Sequence, residues 1–303
     1  MISDARWADL LDVRATQPEA IGAALAARTP RAMLADDGAT FIIAIDHPAR
    51  GMVGISGQPF VMANRREVLE RTMVALADPG VDGVMATPDI LDDLALLGAL
   101  DGKVAFGSLN RGGLAGSVWE LDDQLTAHTV ESVVDQNLDG AKMLLRIDLT
   151  DDRTRLTIES CARWITGLAA AKKMAMLEPL AYTTSSDGRA ALDTDDDALV
   201  KCVGIASALG ASSAYTWLKL PATDQIERVM AATSLPGLIL GGAPGPDPES
   251  AFDGWRRAMA VPNVRGLVVG RALLYPPDGD VATAVATAAH IVHPALSART
   301  TSP

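Results

Sequence analysis

A TIM-type (β/α)8 barrel is the fold this sequence predicts. Three observations predict it: eight short apolar runs, turn residues and helix-periodic segments between them, and a length of 303 residues that such barrels fill as one domain. The runs fall at 41–48, 81–88, 103–109, 140–148, 173–181, 214–221, 237–242 and 265–272. Their alternation with helical segments implies a parallel sheet with crossover helices, and eight strands close a barrel. Arg65 to Ala77 carries Val68, Leu69, Met73 and Leu76 at helical spacing, and Asp195 to Leu209 carries Leu199, Val203, Ile205 and Leu209. An open doubly wound sheet is the rival, but no GxGxxG follows a strand. Residues 1–40 read as a helical extension over the barrel bottom, 41–293 as the barrel and 294–303 as a flexible tail.

Composition narrows the class of function. Hydrophobic residues make up 49% of the chain and the mean hydropathy is +0.18, enough for a large core. With 38 acidic against 26 basic residues the net charge is −12, which disfavours nucleic acid and anionic membrane surfaces as partners. A small molecule is the expected partner, with homo-oligomer formation left open. The N-terminus lacks a basic segment followed by an apolar stretch. Cys161 and Cys202 lie far apart in helix-like segments, so no disulfide framework is expected and a reducing cytoplasm is the expected location.

The chemistry of such barrels sits at the C-terminal ends of the strands. Charges collect there: Asp46 and His47 on the first strand, Lys142 and Arg146 on the fourth, Glu178 on the fifth, Lys219 on the sixth and Arg271 after the eighth. Apolar flanks in YTWLKLP favour a neutral Lys219 amine, and Lys142 at the barrel centre would lower its pKa further, as a Schiff-base nucleophile needs. The alternative is an end-of-strand lysine reaching solvent. Glu178 is the acid/base candidate, with burial expected to raise its pKa, and its alternative is an ion pair to Lys142 or Lys219. Asp46 either orients Lys219 and the substrate or caps a turn. Backbone N–H groups at Gly241, Gly242 and Gly270, with Arg271, match the phosphate cradle that barrels build after strands seven and eight. Asp247 and Pro248 suit the start of the next helix.

Of the four histidines only His47 falls at the catalytic rim, so no multi-histidine metal centre assembles and a zinc-dependent aldolase is disfavoured. The stretch DTDDDA lacks EF-hand spacing and reads as a capped helix start. No metal and no cofactor are expected.

Over residues 40 to 280 the chain resembles the DeoC/LacD-like class I aldolases, especially the tagatose-1,6-bisphosphate aldolase branch. AIDHPARG resembles that family's first-strand aspartate motif, GAKMLLRID its fourth-strand lysine motif and MLEPLAY its Glu-Pro-Leu motif; WLKLP resembles its Schiff-base lysine motif and VVGRA its phosphate motif. The resemblance implies Lys219 as Schiff-base lysine, Glu178 as acid/base, Asp46 and Lys142 as supporting groups, and Gly242, Gly270 and Arg271 around phosphate. The sugar-bisphosphate branch typically has an aromatic residue where Arg146 stands here. A second anionic or carboxylate group on the substrate is therefore expected, clamped by Arg146, Arg111 or Arg50. Further resemblance to aldolase-like barrels of actinobacterial type, associated with inositol catabolism, implies cleavage of 2-deoxy-5-keto-gluconate 6-phosphate to dihydroxyacetone phosphate and malonate semialdehyde. Two other readings stay open: a phosphate-binding barrel isomerase using Glu178 without an imine, and a noncatalytic sugar-phosphate sensor.

Overall fold

The computed structural model describes residues 1–55, 57–242 and 247–295. Two helices come first, α1 (Asp4–Thr16) and α2 (Glu19–Ala27), ahead of β1 (Thr40–Ile45). The chain then runs through α3 (Arg65–Leu76), β2 (Gly83–Ala86), α4 (Pro88–Leu96), β3 (Val104–Ser108), α5 (Val130–Asp135), β4 (Gly140–Ile147) and α6 (Arg153–Ala170). Next come β5 (Met174–Thr184), β6 (Ala190–Leu192), α7 (Asp196–Ser207), β7 (Thr216–Pro221) and α8 (Ile226–Met230). The last elements are β8 (Gly237–Leu240), α9 (Pro248–Met259), β9 (Val264–Val269), α10 (Arg271–Leu274) and α11 (Val281–Val292).

Parallel pairing runs β1–β2–β3–β4–β5–β7–β8–β9 and returns from β9 to β1 through Thr40 opposite Gly266 and Ile43 opposite Val269. That last pairing closes the eight-stranded barrel and excludes the open sheet. The closing strands approach so closely that a Cβ added to Gly266, whose φ is +152°, would lie 1.8 Å from the Thr40 carbonyl oxygen. One strand was not expected: β6 pairs antiparallel with the far end of β5, Tyr182 opposite Leu192, and forms a hairpin above the rim.

Alternation along the strands separates two cores. Ile42, Ala44, Met85, Val104, Phe106, Met176, Leu238 and Val268 point inward, while Phe41, Ile43, Val84, Ala105, Met143, Leu177 and Ile239 face the helices. The same period of two carries each inward row up to a polar residue: Ile42 and Ala44 lead to Asp46, Met176 to Glu178, Trp217 to Lys219.

The N-terminal extension divides its contacts between side and base. Arg14 of α1 reaches Asp93 on α4, whereas Met33 packs against the inner core from below. Arg28 bonds the carbonyls of Lys103 and Asn137 and the Asp139 carboxylate, all just before strands, so it lies at the barrel bottom. Capping agrees with the sequence at two helices: the Asp195 carboxylate accepts from the Asp197 N–H, and that of Asp247 from the Glu249 N–H. Cys161 and Cys202 are free and buried on α6 and α7. Residues 296–303, most of the expected tail, lie outside the described residues, and no described helix is long and apolar enough to cross a membrane.

Candidate active site

Four charged side chains converge at the upper end of the barrel, each at most 7% exposed: Asp46 beyond β1, Lys142 on β4, Glu178 on β5 and Lys219 on β7. One carboxylate joins the two lysines. Glu178 Oε1 accepts from Lys219 Nζ at 2.9 Å, and its Oε2 lies 2.6 Å from Lys142 Nζ. Lys142 Nζ also donates to Asp46 Oδ2 at 3.1 Å, and the Ser108 hydroxyl at the end of β3 donates to the same oxygen at 2.8 Å. The result is a continuous polar row across the barrel, Ser108–Asp46–Lys142–Glu178–Lys219. Ion pairs tolerate such burial only when each charge is paired, and every charge in this row has an opposite partner.

Burial pushes the Lys219 amine below its ordinary pKa, and nearby Lys142 adds like-charge repulsion, against the opposing pull of Glu178 and Asp46. Glu178 corrects the sequence expectation. Burial alone would raise it, but Lys142 and Lys219 outweigh burial and pull it down to about 2, so the resting group is a carboxylate. Asp46, where burial also opposes ionisation, is held well below its usual range by Lys142, His47, Arg50 and Lys219. Asp46 bonds Lys142 and Ser108; its influence on Lys219 is electrostatic.

Lys219 and Glu178 open into a cleft of about 1020 Å³ including its mouth, which Gly241, Gly242, Gly270, Arg271, His47 and Arg50 also line. The glycines belong to a tight backbone. A Cβ on Gly270 would come within 2.1 Å of the Ala44 carbonyl oxygen, and Gly242 has φ +65°. Residues 243–246 of the turn after β8 are outside the described residues. Arg50 Nε, Arg271 Nε and His47 Nδ1 are buried and hydrogen-bonded to nothing among the described residues. Arginine and histidine nitrogens without protein partners, on residues that line the cleft, suit an anion. Burial holds His47 neutral by pulling it down to about 3, helped by Arg271, Arg50 and Lys219 against Asp46, so it meets a ligand as imidazole. The contribution of Arg50, from the short helical turn Pro48–Arg50, was expected only as one of several clamps for a second group.

Two expected clamps are otherwise engaged. Arg146, 1% exposed, is held by Asp123, Glu120 and the Gly113 carbonyl, with its guanidinium 5.6 Å from the centre of the Tyr182 ring. Arg111 donates to the carbonyls of Ser108 and Asn110. Both bind the loop between β3 and α5. This caging was not legible beforehand, because Glu120 and Asp123 sit in a segment without periodicity, 26 and 23 residues before Arg146. Ser108 was missed for a similar reason: a serine ending a strand has no distinguishing pattern. Among the described residues no group of three or more His, Cys, Asp and Glu side chains could hold a metal ion.

A family model described as Cgl0159-like matches residues 38–289. The crystal structure of Cgl0159 from Corynebacterium glutamicum (Brevibacterium flavum) is 47% identical and superposes with a TM-score of 0.94, over 97% of this chain and 99% of that one. An archaeal fructose 1,6-bisphosphate aldolase is 16% identical with a TM-score of 0.64, over 90% and 98% of the two chains. A Schiff-base-forming fructose-1,6-bisphosphate aldolase is 17% identical with a TM-score of 0.63, over 90% and 100%. At that identity the two aldolases share the barrel fold with this chain. No curated protein matches it significantly.

Proposed function

The chain belongs to the Cgl0159-like family, and on that premise we propose that it is a class I aldolase that makes or breaks a C–C bond in a phosphorylated keto sugar through a Schiff base on Lys219. One observation carries the reading: a buried lysine with a lowered pKa, 2.9 Å from a carboxylate that a second lysine also contacts, opens into a cleft with an arginine and glycine cradle. The motif resemblance to DeoC/LacD-like class I aldolases supports it. The two free buried cysteines fit a reducing compartment, and we place the activity in the cytoplasm.

With its phosphate held by Arg271, Arg50 and the glycine backbone, the ketone carbon is presented to Lys219. The neutral amine attacks, Glu178 carries one proton from the nitrogen to the carbonyl oxygen to give the carbinolamine, and a second proton taken up from solvent leaves with that hydroxyl as water, giving the iminium. Glu178 takes the proton of the aldol hydroxyl as the adjacent C–C bond breaks, and the electron pair passes into the iminium to give an enamine. The aldehyde departs; protonation of the enamine carbon and hydrolysis release dihydroxyacetone phosphate. The attraction of Lys142 favours the ionised forms of Glu178 and Asp46.

Borohydride reduction in the presence of dihydroxyacetone phosphate tests this directly. Intact-mass measurement should show one covalent adduct, mapping to Lys219 and absent from Lys219→Ala. Turnover of a keto-phosphate without any trapped adduct would establish the imine-free isomerase reading instead.

A further inference from the structure

The cleft is electrically lopsided. His47, Arg50, Gly270, Arg271, Gly241 and Gly242 come from the arc of β1, β9 and β8, which carries all the cationic donors among the described lining residues apart from Lys219. Across the barrel, the β4 and β5 arc contributes Leu144, Leu180 and Tyr182, the hairpin strand β6 adds Leu192, and the loop after β3 adds Ala115 and Glu120. Lys219 on β7 stands between the two arcs, paired with Glu178 at the near edge of the second.

Glu120 gives the second arc its sign. Its carboxylate is fixed at both oxygens, Oε1 at 3.4 Å from the Arg146 guanidinium and Oε2 accepting from the Gly116 N–H at 2.7 Å. Arg146 is already paired with Asp123, so two carboxylates share one guanidinium and an excess of one negative charge remains. The Ala115 N–H donates to the Arg50 carbonyl at 3.0 Å, which ties this loop to the cationic side and holds Glu120 over the cleft.

We propose that the ketose taken here carries a single anionic group, its phosphate, and that the half released as aldehyde is uncharged, with Glu120 setting that preference. The inference rests on the aldolase reading above. The phosphate belongs in the cationic arc, so the carbons beyond the reacting carbonyl extend toward Glu120, Tyr182 and the leucines. A phosphate or carboxylate on that end would face a fixed like charge in a poorly solvated pocket, whereas hydroxyl groups could donate to Glu120.

Running the reaction toward synthesis tests this, with dihydroxyacetone phosphate as donor and glyceraldehyde, glyceraldehyde 3-phosphate or malonate semialdehyde as acceptor. Glyceraldehyde should be used with a kcat/KM at least about tenfold above either anionic aldehyde, since like charge across a contact is strongly disfavoured. Glu120→Gln, which can still accept from Gly116, should close most of that gap by lowering KM for the anionic aldehydes. Preference for either anionic aldehyde in the unaltered protein overturns the proposal, and a gap unchanged in Glu120→Gln overturns the role of Glu120. Failure here is distinguishable from failure of the aldolase reading: a trapped adduct at Lys219 combined with preference for an anionic aldehyde defeats this inference alone, whereas no adduct defeats the premise.

Discussion

The surroundings of Lys219 disfavour its proton, through burial first and repulsion from Lys142 second, and on the Schiff-base proposal this is what readies the amine for attack. Trapping by borohydride should therefore show a rate that climbs with pH and levels off below 10.5, the ordinary lysine value. In Lys142→Met the repulsion goes and Glu178 serves Lys219 alone, so the rising limb should move to higher pH; a limb that stays in place would remove Lys142 from the activation. That variant should also be less stable by about 3–5 kcal/mol, because Asp46 and Glu178 lose a buried counter-ion. At this scale the sequence was legible wherever a charge interrupted an apolar strand, which is how Asp46, Lys142, Glu178 and Lys219 stand out. The direction of the Glu178 shift was not legible. It depends on which neighbours share its oxygens, and the two lysines doing so are 36 and 41 residues away in the chain.

Elements place these residues by simple parity: a strand that turns its apolar side chains inward at every second position delivers a polar one to the rim at the next inward step. Strand positions could therefore be read closely from the apolar runs, and α3 ends within one residue of expectation. The hairpin strand β6 escaped because Ala190–Leu192 is too short to show alternation and follows Ser185–Arg189, an ordinary-looking loop. Pairing between β9 and β1 is where the element scale is most exposed. Gly266→Ala should weaken the barrel severely, because the added methyl carbon would sit 1.8 Å from a backbone oxygen that cannot move without opening the seam. Urea unfolding reads this, and a midpoint like that of the parent protein would show that the seam yields. Ala at the exposed Gly22, where a Cβ meets nothing within 4 Å, is the matching control.

The whole molecule carries a second charged cluster, at the opposite end from the cleft. His293, just past α11, bonds Asp37 through Nδ1 at 2.7 Å and Asp82 through Nε2 at 3.0 Å. Burial would lower the imidazole pKa, but the two carboxylates overcome it and raise the value above 6.5. A group raised on folding stabilises the protein below its unfolded pKa and loses that contribution as pH climbs through the folded value. Thermal midpoints should accordingly fall as pH increases from 6.5, and His293→Gln should flatten that slope without altering borohydride trapping at Lys219. The acid limb has the opposite sign: Asp46 and Glu178, both lowered, lend stability that disappears as pH drops from their ordinary range toward about 2.

Asp82 receives the Phe41 N–H, lies 2.6 Å from Arg31 and meets His293, so segments from both ends of the chain terminate on one buried side chain. For a chain made from its N-terminus this has a temporal meaning. Arg31 and Asp82 emerge early and can pair, but the last partner arrives some two hundred residues later, after every barrel strand has been synthesised. Contacts of such separation are slow to form. The His293 contact to Asp82 can therefore form only after every barrel strand has emerged, and a ribosome-bound chain stopped short of His293 lacks that latch.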